Sequence, residues 1–148
     1  MIWFSKYSEE IIAGMGKNTM MEHLDIRITE VGDDFISGSM PVDHRTKQPA
    51  GLLHGGASVV LAETLGSIAA YLVVDPELYS CVGLEINANH IRAVREGVVT
   101  GTARPVHIGA TTQIWGIEIR DEKGRLVCIS RITMAILQRK GKQIEKFL

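Results

Sequence analysis

The stretch GGASVVLAETLGSIAAYLVV, residues 55–74, decides the fold of this 148-residue chain. It predicts one long helix that ends before Asp75-Pro76, because the residue preceding a proline disfavours helical backbone. A helix of about 19 residues spans roughly 28 Å. Apolar side chains lie on nearly all of its sides, so most of its surface needs cover. One antiparallel sheet curled around the helix would supply that cover and leave its outer face to solvent or a partner.

The remainder of the chain predicts mainly β-structure. A short helix is expected over residues 8–15, with Ser8 as its cap. Apolar and polar residues that alternate between turn signals predict strands at 24–31, 35–42, 80–92, 97–105, 111–120 and 125–137. The sequence therefore predicts a single α+β domain over residues 1–148. Its basic tail, residues 138–148, fits either a frayed end or a short surface helix.

The composition excludes several classes of function. Hydrophobic residues make up 45% and charged residues 22% of the chain, as is typical of a soluble globular protein. The formal net charge of −1 gives no indication of nucleic-acid binding. Glu63 lies near the centre of the apolar helix, where an acidic residue costs about 2.5–3.5 kcal/mol in a bilayer, so no membrane span is expected. The five histidines show no metal-binding spacing, and neither a metal nor a cofactor is predicted.

The two cysteines, Cys81 and Cys128, stand in apolar strands without a CxxC motif or a histidine partner. We interpret both as buried free thiols. The N-terminal residues MIWFSKYSEE contain no secretory signal, so a cytoplasmic location is expected.

Glu63 is the chemical outlier of the helix, because it is the only ionisable side chain from Gly55 to Val74 apart from Tyr71. A lone glutamate is usually a solvated position, but this helix offers little polar surface for it to share. Burial without partners costs a carboxylate several kcal/mol, and it also creates the environment of a general base. The residues alone do not decide between the solvated and the functional interpretation.

His54-Gly55-Gly56 precedes that glutamate by about two helical turns. Backbone N–H groups in the first turn of a helix have no intrahelical acceptor and lie at the positive end of its dipole. Such an amide can polarise a carbonyl and stabilise the oxyanion formed on attack. The plain alternative is that the two glycines only permit a sharp turn.

The predicted strand 80–92 carries an apolar face that becomes cationic at its end. Strict alternation assigns to that face Val82, Leu84, Ile86 and Ala88, followed by His90 and Arg92. Such a face suits a ligand with an apolar part and a phosphate part, although His90 and Arg92 equally suit a strand that simply emerges into water.

The segment QPAGLLHGGASVVLAETLGS, residues 48–67, resembles the core motif of hotdog-fold acyl-CoA thioesterases of the phenylacetic-acid-degradation type. MPVDHRTKQP and VGLEINANHIRAVREG extend the resemblance over nearly the whole chain. It implies the hotdog fold and hydrolysis of aromatic acyl-CoA thioesters. The most similar branch acts on 1,4-dihydroxy-2-naphthoyl-CoA in menaquinone synthesis. The alternatives are its sister branch, which proofreads aryl groups on carrier proteins, and a non-catalytic acyl-CoA-binding member of the fold.

The resemblance also implies a homotetramer, built as a dimer of dimers with active sites between subunits. It assigns catalysis to Glu63, His54, Gly55 and Gln48. It assigns substrate binding to Ser67, Thr64, Val82, His90, Arg92, His107 and Gly109, with His90 and Arg92 contributed by the neighbouring subunit and residues 106–109 in a loop that borders the groove. One departure is Ala110-Thr111, which stands where relatives often carry a basic residue after the glycine of that loop. A phosphate contact is therefore expected to be absent or moved.

Overall fold

The computed structural model describes residues 1–140. Its elements in chain order are α1 (Glu9–Gly14), α2 (Met20–His23), β1 (Arg27–Val31), β2 (Ile36–Pro41), α3 (Gly55–Val73), β3 (Tyr79–His90), β4 (Val98–Ile108), β5 (Thr112–Arg120) and β6 (Leu126–Gln138). The predicted order of one small helix, two strands, one long helix and four strands is confirmed. The short α2 was not predicted, because four residues give too little periodicity to detect.

The six strands form one antiparallel sheet in the order β1-β2-β4-β5-β6-β3. The α+β architecture, one long helix held by a single sheet, is therefore confirmed. After α3 the chain forms β3 at the far edge of the sheet and then crosses to β4, which pairs with β2. Strands β5 and β6 follow in order beside β4, and β6 pairs with β3. Among residues 1–140 the two edge strands are consequently β1 and β3, and each has one side that pairs with no other described strand.

Helix α3 packs one side on the sheet and leaves the other side partly open. Its buried residues are Ala57, Ser58, Leu61, Ala62, Leu65, Gly66, Ala69, Ala70 and Leu72. On the opposite side Val59, Val60, Glu63, Ser67 and Ile68 are only half-buried. By length and composition α3 could cross a membrane, yet half of its most apolar window is buried inside the fold. The sheet therefore covers one side of α3 within a single chain, and not most of its surface as the sequence predicted.

The N-terminal segment closes one end of this core. The ring of Trp3 stacks on that of Trp115, with centroids 6.2 Å apart, and the Phe4 amide donates to the Leu72 carbonyl at 2.9 Å. The fully buried Trp115 indole donates to Gln113 Oε1 at 2.9 Å, which satisfies both polar groups inside the core.

The predicted face of β3 is wrong in its first half. A bulge between Gly83 and Glu85 inserts one extra residue, so the alternation changes there. Ile86 and Ala88 pack toward the core as expected, but Val82 and Leu84 are exposed. The strand also ends at His90, because the amides of Ile91 and Arg92 both donate to the single carbonyl of Val127. Arg92 therefore does not continue the strand face.

Strand β4 is longer than predicted, since residues 106–108 belong to it and not to a loop. Pro105 suggested a strand end, because proline lacks the amide that a central strand needs. The pairing of β4 with β2 stops at Ala103, so no residue of β2 is paired with Pro105 and needs its amide.

Both cysteines are free, as predicted: Cys128 is buried and Cys81 half-buried. Burial raises the pKa of each thiol above its usual 9.0. At the C-terminal end, Arg139 Nε donates to the carbonyls of Pro76 and Tyr79, which fixes the end of β6 against the α3–β3 connection. The rest of the predicted tail, residues 141–148, lies outside the described residues.

Candidate active site

The start of α3 presents a backbone amide with no internal partner. His54 is the N-cap, and its Nδ1 accepts the Gly56 amide at 2.8 Å. A ring nitrogen that accepts a hydrogen bond carries no proton, so a neutral His54 carries its proton on Nε2. The Gly55 N–H has no acceptor among residues 1–140 and lies at the positive end of the helix dipole. Two donors, this amide and His54 Nε2–H, are therefore available to a ligand oxygen.

The loop before α3 carries Gln48 back to the helix start. Lys47 pairs with Leu53, and the His54 amide donates to the carbonyl of Thr46 at 2.8 Å. Thr46 is buried, and its hydroxyl donates to the Pro41 carbonyl at 2.7 Å. Gln48 Oε1 accepts the amide of Ala50, so its side-chain NH2 group is the part left for a ligand.

An ion pair stabilises the turn at residues 43–45 of the same loop. Asp43 binds the Arg45 guanidinium at 2.7 Å and also accepts the Arg45 amide at 2.9 Å. These contacts lower the pKa of Asp43 to about 2, so the carboxylate stays charged at any ordinary pH.

His90 lies against the helix start of its own chain. A Cβ built on Gly55 would stand 2.7 Å from His90 Nε2, closer than real contacts allow. Gly55 is thus needed for this approach, and the imidazole borders the free amide. Within one chain the structure places His90 beside Gly55, whereas the resemblance implied that His90 comes from the neighbouring subunit. Its role in substrate binding stays a prediction.

Glu63 lies in the middle of α3, half-buried, with its carboxylate directed at β3. Its Oε1 is 2.7 Å from the position that a Cβ on Gly83 would occupy. No donor or cation in the described part of the chain is bonded to this carboxylate. It therefore keeps its lone pairs free for a ligand or a water.

Ser67 and Thr64 lie beside Glu63 on the helix. The Ser67 hydroxyl donates weakly to the thioether of Met134 at 3.9 Å. The Thr64 hydroxyl donates to the Val60 carbonyl of its own helix at 2.7 Å, which leaves only its acceptor capacity. Of the two, Ser67 is the more available to a ligand.

The other predicted binding residues do not join Glu63 within one chain. Val82 is on the outer face of β3, and Arg92 is exposed beyond its end. His107 and Gly109 lie at the β4–β5 hairpin, where Gly109 approaches the His107 ring. The register connects Ile108, Gln113, Met134 and Gly83 across four adjacent strands. At about 4.8 Å per strand the hairpin is roughly 14 Å from Gly83.

Sequence reasoning missed Gly83, which lies against the Glu63 carboxylate, and Met134, whose sulfur is 4.0 Å from the Cβ position of Gly83. For Gly83 a signal existed, since a glycine inside a strand pattern indicates a bulge or a close approach. Met134 gave no signal, because its position depends on the pairing of β6 with β3.

The chain thus holds two half-sites. Gly55 and Glu63 are eight residues apart on one helix, which is roughly 12 Å along its axis. Direct attack requires reacting atoms about 3–3.5 Å apart and an oxyanion donor about 2.7–3.1 Å from the carbonyl oxygen. The helical rise between the two residues is therefore about three to four times either of these distances. The geometry provides an electrophile-binding half-site and a carboxylate half-site.

Comparison with known proteins shows the family to which the chain belongs. Residues 50–128 match the Thioesterase superfamily. The chain is 61% identical to the Vibrio cholerae protein VC_A0580, over 96% of this chain and 94% of that protein. It is 58% identical to the 1,4-dihydroxy-2-naphthoyl-CoA hydrolase of Escherichia coli, over 93% of this chain and 100% of that enzyme.

Two further similarities cover nearly the whole chain. The proofreading thioesterase EntH of Cronobacter sakazakii is 50% identical, over 93% of this chain and 99% of that enzyme. The crystal structure of a mutant thioesterase PA1618 from Pseudomonas aeruginosa superposes with a TM-score of 0.92 at 48% identity, over 94% of this chain and 100% of that chain.

Proposed function

The chain belongs to the thioesterase superfamily, and we propose that it hydrolyses aromatic acyl-CoA thioesters, with 1,4-dihydroxy-2-naphthoyl-CoA in menaquinone synthesis as its substrate. The observation that carries this proposal is the pair of half-sites on α3, a free amide at Gly55 and an unpaired carboxylate at Glu63. The near full-length similarity to the Escherichia coli hydrolase supports the choice of acyl group.

The chemistry needs only carbonyl polarisation and a delivered oxygen nucleophile. The thioester oxygen accepts the Gly55 amide, while His54 Nε2 and the Gln48 amide hold the group in place. Glu63 either attacks the carbonyl carbon, forming an anhydride that water then hydrolyses, or takes a proton from an attacking water. In both routes the C–S bond breaks, CoA leaves as its thiol and the acyl group leaves as a carboxylic acid.

A homotetramer with shared active sites is part of the proposal. The roughly 12 Å between Gly55 and Glu63 is one support, because a second copy can bring its own carboxylate to the first copy's amide. The unpaired edge of β3 is another: it is 12 residues long and carries Val82 and Leu84, which are 44% and 63% exposed. Long apolar edge strands generally find a partner. Antiparallel pairing of two β3 edges would also place the second α3 antiparallel to the first.

The remaining apolar surface supports the second interface of a dimer of dimers. Exposed large apolar side chains on the later strands are Val98, Val106, Ile108, Ile129 and Leu137. His107 and Gly109 belong to the same end of the sheet, so in an assembly they would border the groove of a neighbouring subunit. A cytoplasmic location accords with the two free thiols.

Proofreading of aryl groups on a carrier protein is the second candidate. The 50% identity to the EntH enzyme favours it specifically. The two functions share every step at the thioester and differ only in what carries the pantetheine, so substrate comparison separates them.

The test is a free-thiol release assay with wild type and Glu63→Ala over a panel of aryl-CoA, alkyl-CoA and aryl carrier-protein thioesters. Wild type should prefer aryl-CoA, and Glu63→Ala should lose at least about 10²-fold in turnover while its circular dichroism stays native. Faster cleavage of the carrier-protein thioester would favour the second candidate. Near-native turnover by Glu63→Ala would remove Glu63 from the mechanism.

A further inference from the structure

Gly83, in the middle of the edge strand β3, lacks a side chain where the strand meets the Glu63 carboxylate. A Cβ at this position would stand 2.7 Å from Glu63 Oε1 and 3.7 Å from Glu63 Cδ. Real Cβ atoms essentially never come within 3.0 Å of another heavy atom. The backbone of Gly83 is not in the left-handed region, so chain conformation does not account for the glycine.

We propose that Gly83 is a positioning residue for the hydrolytic reaction: it leaves a slot in β3 in which the carboxylate of Glu63 rests. This inference depends on the proposed function for its catalytic meaning. Any larger residue would push the carboxylate out of the slot or force the strand away from α3.

The bulge next to Gly83 makes the slot compatible with the rest of the strand. Without the extra residue, strict alternation would place Glu85 on the same face as Gly83, next to Glu63. Two neighbouring carboxylates repel each other and disfavour ionisation. With the bulge, Ile86 and Ala88 take the inner face, and Glu85 is exposed, where it accepts the Asn87 side-chain amide at 3.1 Å.

The floor of the slot is apolar. Met134 pairs with Gly83 across the sheet and is almost completely buried, and its Sδ is 4.0 Å from the Cβ position of Gly83. The Ser67 hydroxyl donates to the same sulfur. A thioether is a weak acceptor and carries no charge, so Met134 supplies no cation or strong donor that would neutralise a carboxylate beside Gly83. This suits a group that must act on a thioester.

The experiment is kinetic comparison of Gly83→Ala with wild type in the thiol-release assay on an aryl-CoA ester. We expect kcat to fall about 10²-fold with little change in KM, because a displacement of about 1 Å costs that much and CoA binding is untouched. The matched control is Gly14→Ala, where an added methyl meets nothing within 4 Å and wild-type kinetics are expected.

A second arm separates positioning from general damage to the fold. Introduced into Glu63→Gln, the Gly83→Ala change should cause no further loss of kcat, because the side chain it acts through is already disabled. A loss of the same size in both backgrounds, or a Gly83→Ala kcat within about twofold of wild type, would overturn the proposal.

A crystal structure of Gly83→Ala provides a readout that needs no substrate. The carboxylate of Glu63 should be displaced from β3, and an unchanged carboxylate position would overturn the slot. If wild type cleaved no CoA or carrier-protein thioester, the proposed function would fail, whereas the displacement would still decide whether Gly83 positions Glu63.

Discussion

His54 combines two roles within one imidazole at the start of α3. Its Nδ1 caps the helix by accepting the Gly56 amide, which leaves Nε2 for a ligand. Histidine is uncommon as an N-cap, because serine, threonine, aspartate and asparagine satisfy the same amide with a shorter side chain. A histidine at this position is explained if its second nitrogen, Nε2, is needed to bind a ligand.

Two substitutions at this residue separate its roles. His54→Ala should lower the free energy of unfolding by about 1 kcal/mol through loss of the cap, whereas His54→Asn should restore most of it. Both variants should lose about 10²-fold in turnover, because neither offers a donor at the place of Nε2. Chemical denaturation and thiol release measure the two effects. Full activity in His54→Asn would show that only the cap matters.

At the scale of elements, the loop of residues 42–54 holds the electrophile half-site in place. Its geometry depends on Thr46, whose hydroxyl donates to the Pro41 carbonyl and accepts the Asp43 amide at 3.1 Å. These bonds connect the end of β2 to the residues that precede α3. The loop is therefore a fixed support for Gln48 and His54.

Replacement of that hydroxyl should loosen the support. Thr46→Val keeps the shape of the side chain but removes the hydroxyl bonded to the part-buried Pro41 carbonyl and Asp43 amide, which costs about 1–3 kcal/mol. We expect a lower melting temperature and a lower kcat/KM for the aryl-CoA ester. His44→Ala is the control in the same loop, since that side chain is 89% exposed and should tolerate the change. Equal behaviour of the two variants would contradict a supporting role for Thr46.

At the scale of the whole molecule, Gly55 and Glu63 lie roughly 12 Å apart along α3, which is the reason that the proposed function includes an assembly. Within one chain, Glu63 lies against Gly83 and Gly55 lies against His90, at opposite parts of β3. A two-fold partner joined along this edge would reverse the direction of its own helix. Each of the two composite sites would then take its amide from one chain and its carboxylate from the other.

Subunit mixing tests this arrangement directly. Glu63→Gln and His54→Ala chains, each nearly inactive alone, should regain about a quarter of the wild-type rate when they are refolded together in equal amounts. Half of the dimers are then mixed, and each mixed dimer has one intact site out of two. Wild type refolded by the same procedure sets the scale, and each variant refolded alone sets the background. No recovery, with mixed oligomers present, would mean that each site lies within one chain.

Local sequence determined a large part of this protein. The apolar run of α3, the alternating strands and the turn residues specify the elements, because 3.6-residue and two-residue periodicities are local properties of the chain. The segment from Gln48 to Ser67 likewise made Glu63, His54 and Gly55 candidates, because an isolated acid and the start of a helix are both visible in it. Their catalytic roles came from the family resemblance and stay predictions.

Only the tertiary structure decided what these residues contact. The bulge after Gly83 depends on the pairing of β3 with β6, and one extra residue exchanged the inner and outer faces that alternation had assigned to Val82 and Leu84. The approach of Glu63 to Gly83 and of Gly55 to His90 joins residues 20 or more positions apart. The sequence determined which groups can react, and the packing of helix on sheet determined where each is held, because such contacts depend on register and distance between segments that no local pattern encodes.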